Sequence, residues 1–205
     1  MAACGGETSP TPVTAPVPTP APVTFVNNTL NTPGSLENTD VMLSSERLDR
    51  VTFPSMVTDD FTLATDATIT EARWQGMYCQ LPSYGSPVPA VATGFVVRFY
   101  EVRDTVPFTL LREETYPIER TEQRLQQNAK GCDLQSGLVM GLYDYTVHLD
   151  TPVVAAANVR YGFSVQALMP ASGTVRWGWR AGAVRNGLAW GQGFLVPRDL
   201  AFALR

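Results

Sequence analysis

Charged residues, histidine, cysteine and long apolar runs are all scarce in this chain of 205 residues. Only 17% of the residues are charged, whereas about a quarter is usual for a soluble domain. No apolar run reaches the length of about 18 residues that a membrane-spanning helix requires. One histidine and three cysteines leave little material for a zinc site. The 15 basic and 19 acidic residues include no basic block, so nucleic acid is not expected as a partner.

Residues 1–24 differ in composition from the rest of the chain. They include six prolines and five threonines, and Glu7 is their only charged side chain. Proline restricts the backbone and lacks an N–H donor, so this segment is predicted to be an extended spacer without strand or helix. Residues 25–205 are expected to form one domain, in which residues 25–58 contribute one strand and otherwise wrap the surface.

The start of the chain resembles the mature end of a bacterial lipoprotein, in which small residues precede a cysteine that receives the lipid. Ala2, Ala3 and Cys4 match that pattern. The resemblance implies export to the cell envelope and contact with a membrane only through acyl chains on Cys4. The charged and apolar segments of a signal peptide are absent, as expected if Met1 stands where such a peptide was removed. The alternative is a free cysteine in a disordered leader.

Apart from Cys4, the chain has two cysteines, Cys79 and Cys132, which lie 53 residues apart. Neither belongs to a C-x-x-C motif, so metal binding and thioredoxin-like chemistry are not indicated. We expect a disulfide between them, which would contribute about 3–4 kcal/mol in the chain-entropy model. The alternative is a pair of buried thiols.

Apolar and polar residues alternate with a period of two from residue 59 onward, which is typical of half-buried β-strands. The clearest case is residues 159–167, where Val159, Tyr161 and Phe163 alternate with polar residues or glycine. One segment, residues 121–130, is rich in helix formers and is followed by Gly131, so it is either a short helix or an irregular strand. Nine strands are predicted: 59–63, 67–78, 94–101, 108–116, 143–150, 159–167, 174–181, 188–195 and 200–204.

Many short strands with at most one short helix predict an all-β fold, an antiparallel two-sheet β-sandwich of jelly-roll type. Several segments over residues 59–205 resemble secreted bacterial β-sandwich domains, including Arg73-Trp74, Tyr161-Gly-Phe163 and Trp177-Gly-Trp179. Carbohydrate-binding modules and lectin-like domains use similar sandwiches. The resemblance therefore implies a fold and a secreted setting, while function has to be argued from the site.

The tryptophans and their neighbours form the candidate ligand site. Aromatic rings offer flat apolar faces on which sugar rings stack, and nearby polar side chains bond the hydroxyls. The alternative is that the tryptophan rings fill the core of the sandwich. The residues expected to stack are Trp177, Trp179, Trp190 and Tyr84. Those expected to bond hydroxyls are Arg185, Asn186 and Gln192.

Catalytic and metal sites are less well supported by the sequence. His148 shares a predicted strand face with Asp144 and Asp150, which is either a metal or base site or simply a solvated face. No G-x-S-x-G motif is present.

Asp59-Asp60 with nearby Asp66 would supply oxygen ligands for a structural Ca²⁺, but a role in a turn fits these residues as well. Paired acids suited to glycoside cleavage are expected instead to form ion pairs with arginines; the candidates are Glu71, Glu101, Glu113 and Glu114.

These observations predict a non-catalytic binding domain of a lipid-anchored bacterial envelope protein, whose partner is a glycan or an envelope protein. No cofactor is expected. The alternative is a structural lipoprotein that assembles with copies of itself or with an envelope complex. A glycoside-active enzyme is a third hypothesis.

Overall fold

A computed structural model describes residues 1, 24–27, 42–48, 55–80, 90–104, 106–130, 139–170, 175–182, 188–191, 194–197 and 199–205. These residues include fourteen β-strands and a single 3-10 turn, Ile118–Arg120. Among the described residues, no helix is long and apolar enough to cross a membrane. The strands are β1 Val26–Asn27, β2 Met42–Ser44, β3 Glu46–Leu48, β4 Val57–Thr62, β5 Ala67–Gln80, β6 Gly94–Arg103, β7 Val106–Pro117, β8 Glu122–Lys130, β9 Val139–Ala155, β10 Arg160–Met169, β11 Val175–Arg180, β12 Ala189–Gly191, β13 Phe194–Val196 and β14 Phe202–Leu204.

The strands form two seven-stranded sheets, which confirms the prediction of an all-β two-sheet sandwich. Sheet A has the order β1-β14-β5-β11-β2, and β9 pairs with both β5 and β8. Sheet B has the order β13-β12-β4-β10-β6-β7, with β3 also paired to β10. The pairings are antiparallel except for the parallel pair of β3 with β10. The expected count of nine strands is therefore too low.

The additional strands lie where the sequence pattern is weak. Residues 122–130 form β8 because they pair with β9 along their length, although their composition also suits a helix. The segment 188–195, predicted as one strand, contains β12 and the start of β13, which pair with each other. Residues 25–58 contribute β1, β2, β3 and the start of β4, where one strand was expected.

Aromatic rings from the two sheets interlock to form the core. Phe95 of β6 in sheet B lies with its ring centroid 5.2 Å from that of Trp74 and 5.5 Å from that of Trp177, both in sheet A. In the same way Phe163 of β10 lies 5.5 Å from Trp179 and 5.1 Å from Phe202 of sheet A. Such pairs each contribute about 0.5–1.5 kcal/mol beyond the area they bury. The two phenylalanines thus tie sheet B to sheet A.

Gly76 of β5 makes room for one of these rings. A Cβ atom at this position would lie 2.6 Å from Cε2 and 2.7 Å from Nε1 of Trp177, much closer than van der Waals contact. A side chain on Gly76 would have to displace a fully buried indole.

Gly76→Ala is expected to lower the free energy of unfolding by about 2–3 kcal/mol, because the added methyl overlaps the Trp177 ring. Urea denaturation followed by tryptophan fluorescence measures the change. Gly191→Ala is the control, since a Cβ there would meet its nearest atom, Cγ2 of Val57, at 3.3 Å. The control should lose less than about 1 kcal/mol. Equal losses in the two variants would contradict this account of the core.

Candidate functional site

The structure separates the tryptophans that the sequence grouped together. Trp177 and Trp179 are fully buried in the core, so their expected role in an exposed stacking platform is wrong. The reason is strand alternation: both face the same side of β11, and that side packs on sheet B. Trp190 is partly exposed on the outer face of β12, because its neighbours Ala189 and Gly191 take the buried positions. Tyr84, Arg185, Asn186 and Gln192 lie outside the described residues.

The cysteines are largely outside the described part of the chain. Cys4 and Cys132 fall outside it, and Cys79 is placed in β5 without a described side chain. The disulfide and the lipid anchor therefore stay predictions. The strand that contains Cys79 and the strand that ends at Lys130, two residues before Cys132, both pair with β9.

The candidate catalytic residues on sheet A contact neighbouring side chains through hydrogen bonds and ion pairs. His148 is exposed, and its Nδ1 lies 3.7 Å from Oε2 of Glu71. Asp144 accepts a hydrogen bond of 2.8 Å from Nε2 of Gln75, and burial raises the pKa of this carboxyl. Asp150 pairs with Arg120, and this pairing lowers the pKa of Asp150. No group of three or more histidine, cysteine, aspartate or glutamate residues that would hold a metal ion is found among the residues described.

The four glutamates considered for glycoside cleavage are held by structural contacts. Arg73 pairs with Glu71 at 2.7 Å and Arg103 with Glu101 at 4.0 Å, as the ion-pair interpretation predicts. Glu71 belongs to sheet A and Glu101 to sheet B, so these two acids do not form a catalytic pair. The other two contacts are Glu113 with Arg98 at 2.6 Å and Glu114 with the backbone N–H groups of Asp150 and Thr151 at 3.1 Å each.

A shallow depression lies on the outer face of sheet B, and we call it the Trp190 pocket. It crosses the neighbouring strands β12, β4, β10, β6 and β7. Polar groups and apolar walls both contribute to its lining. The described lining residues are Thr58, Asp59, Asp60, Val102, Pro107, Arg160, Leu188 and Trp190.

The position of Thr58 in this pocket is set by β4 and by a glycine on the next strand. Thr58 and Asp60 are two residues apart in β4, so both face outward, and the backbone of Thr58 is in register with that of Trp190. A Cβ on Gly162 would lie 2.8 Å from Cγ2 of Thr58 and 3.2 Å from Cγ2 of Val102. The glycine therefore allows these two side chains to converge. Thr58 is only 2% exposed, and its hydroxyl has no hydrogen-bond partner in the protein.

An arginine and an aspartate form the charged part of the pocket. Nε of Arg160 donates to Oδ2 of Asp60 at 2.6 Å, and Nη1 of Arg160 donates to the carbonyl oxygen of Asp104 at 2.6 Å. Asp104 lies between β6 and β7 with a positive φ of 55°, a conformation that aspartate tolerates better than most residues. The guanidinium is thus held by the neighbouring strand on one side and by the turn between β6 and β7 on the other.

Asp59 lies beneath the pocket and faces the interior. It is 1% exposed; its Oδ2 accepts the N–H of Leu200 at 2.7 Å and its Oδ1 accepts the N–H of Asp60 at 2.9 Å. Burial raises the pKa of Asp59 to about 8, and the negative charge of Asp199 acts in the same direction. The carboxyl is therefore mainly protonated at neutral pH.

This arrangement suits binding better than hydrolysis. Asp59 and Asp60 are adjacent acids, but successive strand residues point to opposite faces, so the two carboxyls do not flank a common point. Nor do they share a cation with Asp66, whose Oδ1 accepts the N–H of Ala157 at 2.7 Å. On the outer face, Asp60, Arg160 and the Trp190 ring together offer an acceptor, donors and an apolar surface.

The sequence analysis identified Trp190 as a candidate site residue, but it did not identify Thr58 and Arg160, which line the same pocket. The alternation in β4 places Thr58 beside Asp60, yet nothing in the sequence brings Arg160 to them from 100 residues away. Comparison with protein-family models, curated proteins and solved structures gives no significant match. The Trp190 pocket is therefore interpreted from its own geometry.

The raised pKa of Asp59 makes stability depend on pH. Between about pH 4 and pH 8 the folded state keeps a proton that the unfolded state has released, so the free energy of unfolding falls as pH rises. The slope from this group is at most about 1.4 kcal/mol per pH unit. Asp59→Asn cannot titrate and should show a correspondingly shallower slope in urea denaturation at a series of pH values. Equal slopes for the two proteins would contradict the assignment.

The unpartnered hydroxyl of Thr58 should lower stability. Thr58→Val replaces it with a methyl group of similar size, so we expect the free energy of unfolding to rise by about 1 kcal/mol. Thr62→Val is the matched control, because Thr62 lies on the same face of β4 but is exposed. Its stability should change by less than about 0.5 kcal/mol. A loss of stability in Thr58→Val would mean that the hydroxyl has a partner in solution.

Proposed function

We propose that the protein is a non-catalytic binding domain that holds a carbohydrate in the Trp190 pocket and is displayed at a bacterial cell envelope through a lipid on Cys4. The observation that carries the carbohydrate assignment is the partly exposed Trp190 ring, which lies in one depression with the Asp60–Arg160 pair. An aromatic face beside hydrogen-bonding groups is the combination that recognises a sugar ring.

The other lining groups support a sugar as the ligand. Sugars combine an apolar ring face with a rim of hydroxyls, and the pocket combines the Trp190 ring and the apolar residue Leu188 with the polar groups of Asp60 and Arg160. The pocket is a shallow surface depression, so it would contact the edge of one sugar residue and leave the rest of the glycan outside.

A second candidate, assembly with other envelope proteins, is favoured by a different feature. β7 pairs only with β6 among the described strands and so lies at the edge of sheet B. Its side chains Val106, Leu110 and Leu111 are exposed and apolar. An apolar edge strand is a typical surface for pairing with another chain.

Trp190→Ala is expected to abolish or weaken retention of the protein on glycan affinity gels by about tenfold or more, because the truncated side chain no longer offers a stacking surface. The screen uses neutral polysaccharides, such as glucans, mannans, galactans and xylans, and acidic ones, such as pectin and alginate. Val154→Ala is the control, since Val154 is an exposed apolar residue on β9 of sheet A.

Retention by at least one glycan, lost in Trp190→Ala and kept in Val154→Ala, would support the proposal. Retention that both variants keep would place the glycan site elsewhere. A protein that no glycan retains and that elutes as an oligomer in sizing chromatography would favour the assembly function.

A further inference from the structure

We propose that Met56 is a site of oxidation by peroxides, and that the fold holds the resulting sulfoxide through Arg98 and Tyr100. This inference is independent of the proposed function. Two observations carry it: two hydrogen-bond donors of sheet B are directed at the thioether sulfur, and the methionine is partly exposed.

The side chain of Met56 reaches across one strand of sheet B. Met56 directly precedes β4, β4 pairs with β10, and β10 pairs with β6, which carries Arg98 and Tyr100. The residues of β10 that are in register with these two are Ser164 and Gly162. Because both of these residues are small, they leave room on the outer face of the sheet for the methionine to contact β6.

The thioether sulfur is a weak acceptor for both donors. The hydroxyl of Tyr100 donates to Sδ of Met56 at 3.5 Å and makes no other hydrogen bond with the described residues. Nη1 of Arg98 lies 3.8 Å from the same sulfur. Burial raises the pKa of Tyr100, so the phenol keeps its proton and remains a donor at neutral pH. Oxygen accepts hydrogen bonds better than sulfur, so both donors would gain from an oxygen atom at this position.

Arg98 is already fixed in place for this contact. Its Nε donates to Oε2 of Glu113 at 2.6 Å, and its Nη1 also donates to Oε1 of Gln166 at 3.3 Å. Nε2 of the same glutamine donates to the carbonyl oxygen of Ser55, the residue before Met56, at 2.7 Å. One glutamine therefore holds both the guanidinium and the backbone beside the methionine. An oxygen atom on Sδ would meet a donor that need not be reordered.

The oxidation needs only a peroxide as co-reactant. A lone pair of Sδ attacks one oxygen of hydrogen peroxide, so that the S–O bond forms and the O–O bond breaks. The departing hydroxide then removes the proton from the transferred oxygen and leaves as water. Sulfur loses two electrons, the peroxide gains two, and the product is methionine sulfoxide. Met56 is partly exposed and so accessible to the peroxide, whereas Met77 and Met169 are buried.

The sulfoxide at Met56 is expected to differ in its effect from most others. Oxidation turns an apolar side chain into a polar one and commonly disrupts packing. Here an oxygen on the side of Arg98 and Tyr100 would replace two weak contacts with sulfur by hydrogen bonds to a polar oxygen. Oxidation would therefore tie the residue before β4 more firmly to β6.

The first measurement locates the oxidation. The full-length protein is treated with hydrogen peroxide at neutral pH, and its peptides are analysed by mass spectrometry over time. We expect the peptide that contains Met56 to gain one oxygen atom at least about tenfold faster than the peptides that contain Met77 and Met169, since susceptibility follows exposure. Oxidation of Met56 that is no faster than that of the two buried methionines would overturn the proposal.

The second measurement tests whether the fold holds the sulfoxide. Urea midpoints are compared before and after peroxide treatment, and Met56→Leu is the reference because it undergoes every other oxidation. The midpoint of the unsubstituted protein should fall no more than that of Met56→Leu. Tyr100→Phe lacks the hydroxyl donor, so its midpoint should fall by about 0.5 M more on oxidation. Tyr143→Phe is the control, because it removes the hydroxyl of a half-buried tyrosine of sheet A and should respond like the unsubstituted protein.

The outcomes of the second measurement are decisive in both directions. A larger loss of stability in the unsubstituted protein than in Met56→Leu would mean that the sulfoxide is not accommodated, and the proposal would be overturned. The same conclusion follows if Tyr100→Phe responds to peroxide like the unsubstituted protein. Neither result depends on glycan retention, so the proposed function is tested separately.

Discussion

Aromatic rings of sheet A and sheet B interlock in the core, and this packing holds one side of β11 inward. Phe95 and Phe163 of sheet B each project between large rings of sheet A, and these contacts require Trp177 and Trp179 to point inward. The core is so closely filled at this level that Gly76 has no room for a side chain. Because the two neighbouring tryptophans of β11 are taken up by the core, Trp190 is the one tryptophan of the described residues that contacts solvent.

The Trp190 pocket lies on the outer face of sheet B, opposite the face that packs on sheet A. β4 turns Phe61 and Asp59 toward the core and Thr58 and Asp60 toward solvent, so one strand contributes to both the packing and the site. Two features there oppose stability, the buried carboxyl of Asp59 and the unpartnered hydroxyl of Thr58. Departures from the usual rules of burial tend to collect at functional sites, where a ligand or a change of state gives them a purpose. The two features occur on adjacent residues of β4, both of which line the Trp190 pocket.

Most of the strands could be predicted from the sequence, because alternation of apolar and polar residues reports which positions share a face. The failures have physical causes that a local pattern does not contain. β8 has a helix-like composition and is extended because β9 offers it a full ladder of hydrogen bonds, which overrides intrinsic propensity. The strands β12 and β13 lie within a continuous strand-like pattern, but they form a hairpin in which Trp190 is in register with Leu195.

The fold class and the grouping of side chains by face follow from the local sequence, since the two-residue period of a strand is a property of the local chain. The sequence also predicted Trp190 as a stacking residue, together with Trp177, Trp179 and Tyr84. Which face of each strand is buried, and so which of the described tryptophans is exposed, depends on the tertiary structure. It alone brought Arg160 to Asp60 across 100 residues and left the Thr58 hydroxyl buried without a partner. These outcomes depend on strand order and register, which are settled by contacts between distant segments and leave no local signal in the sequence.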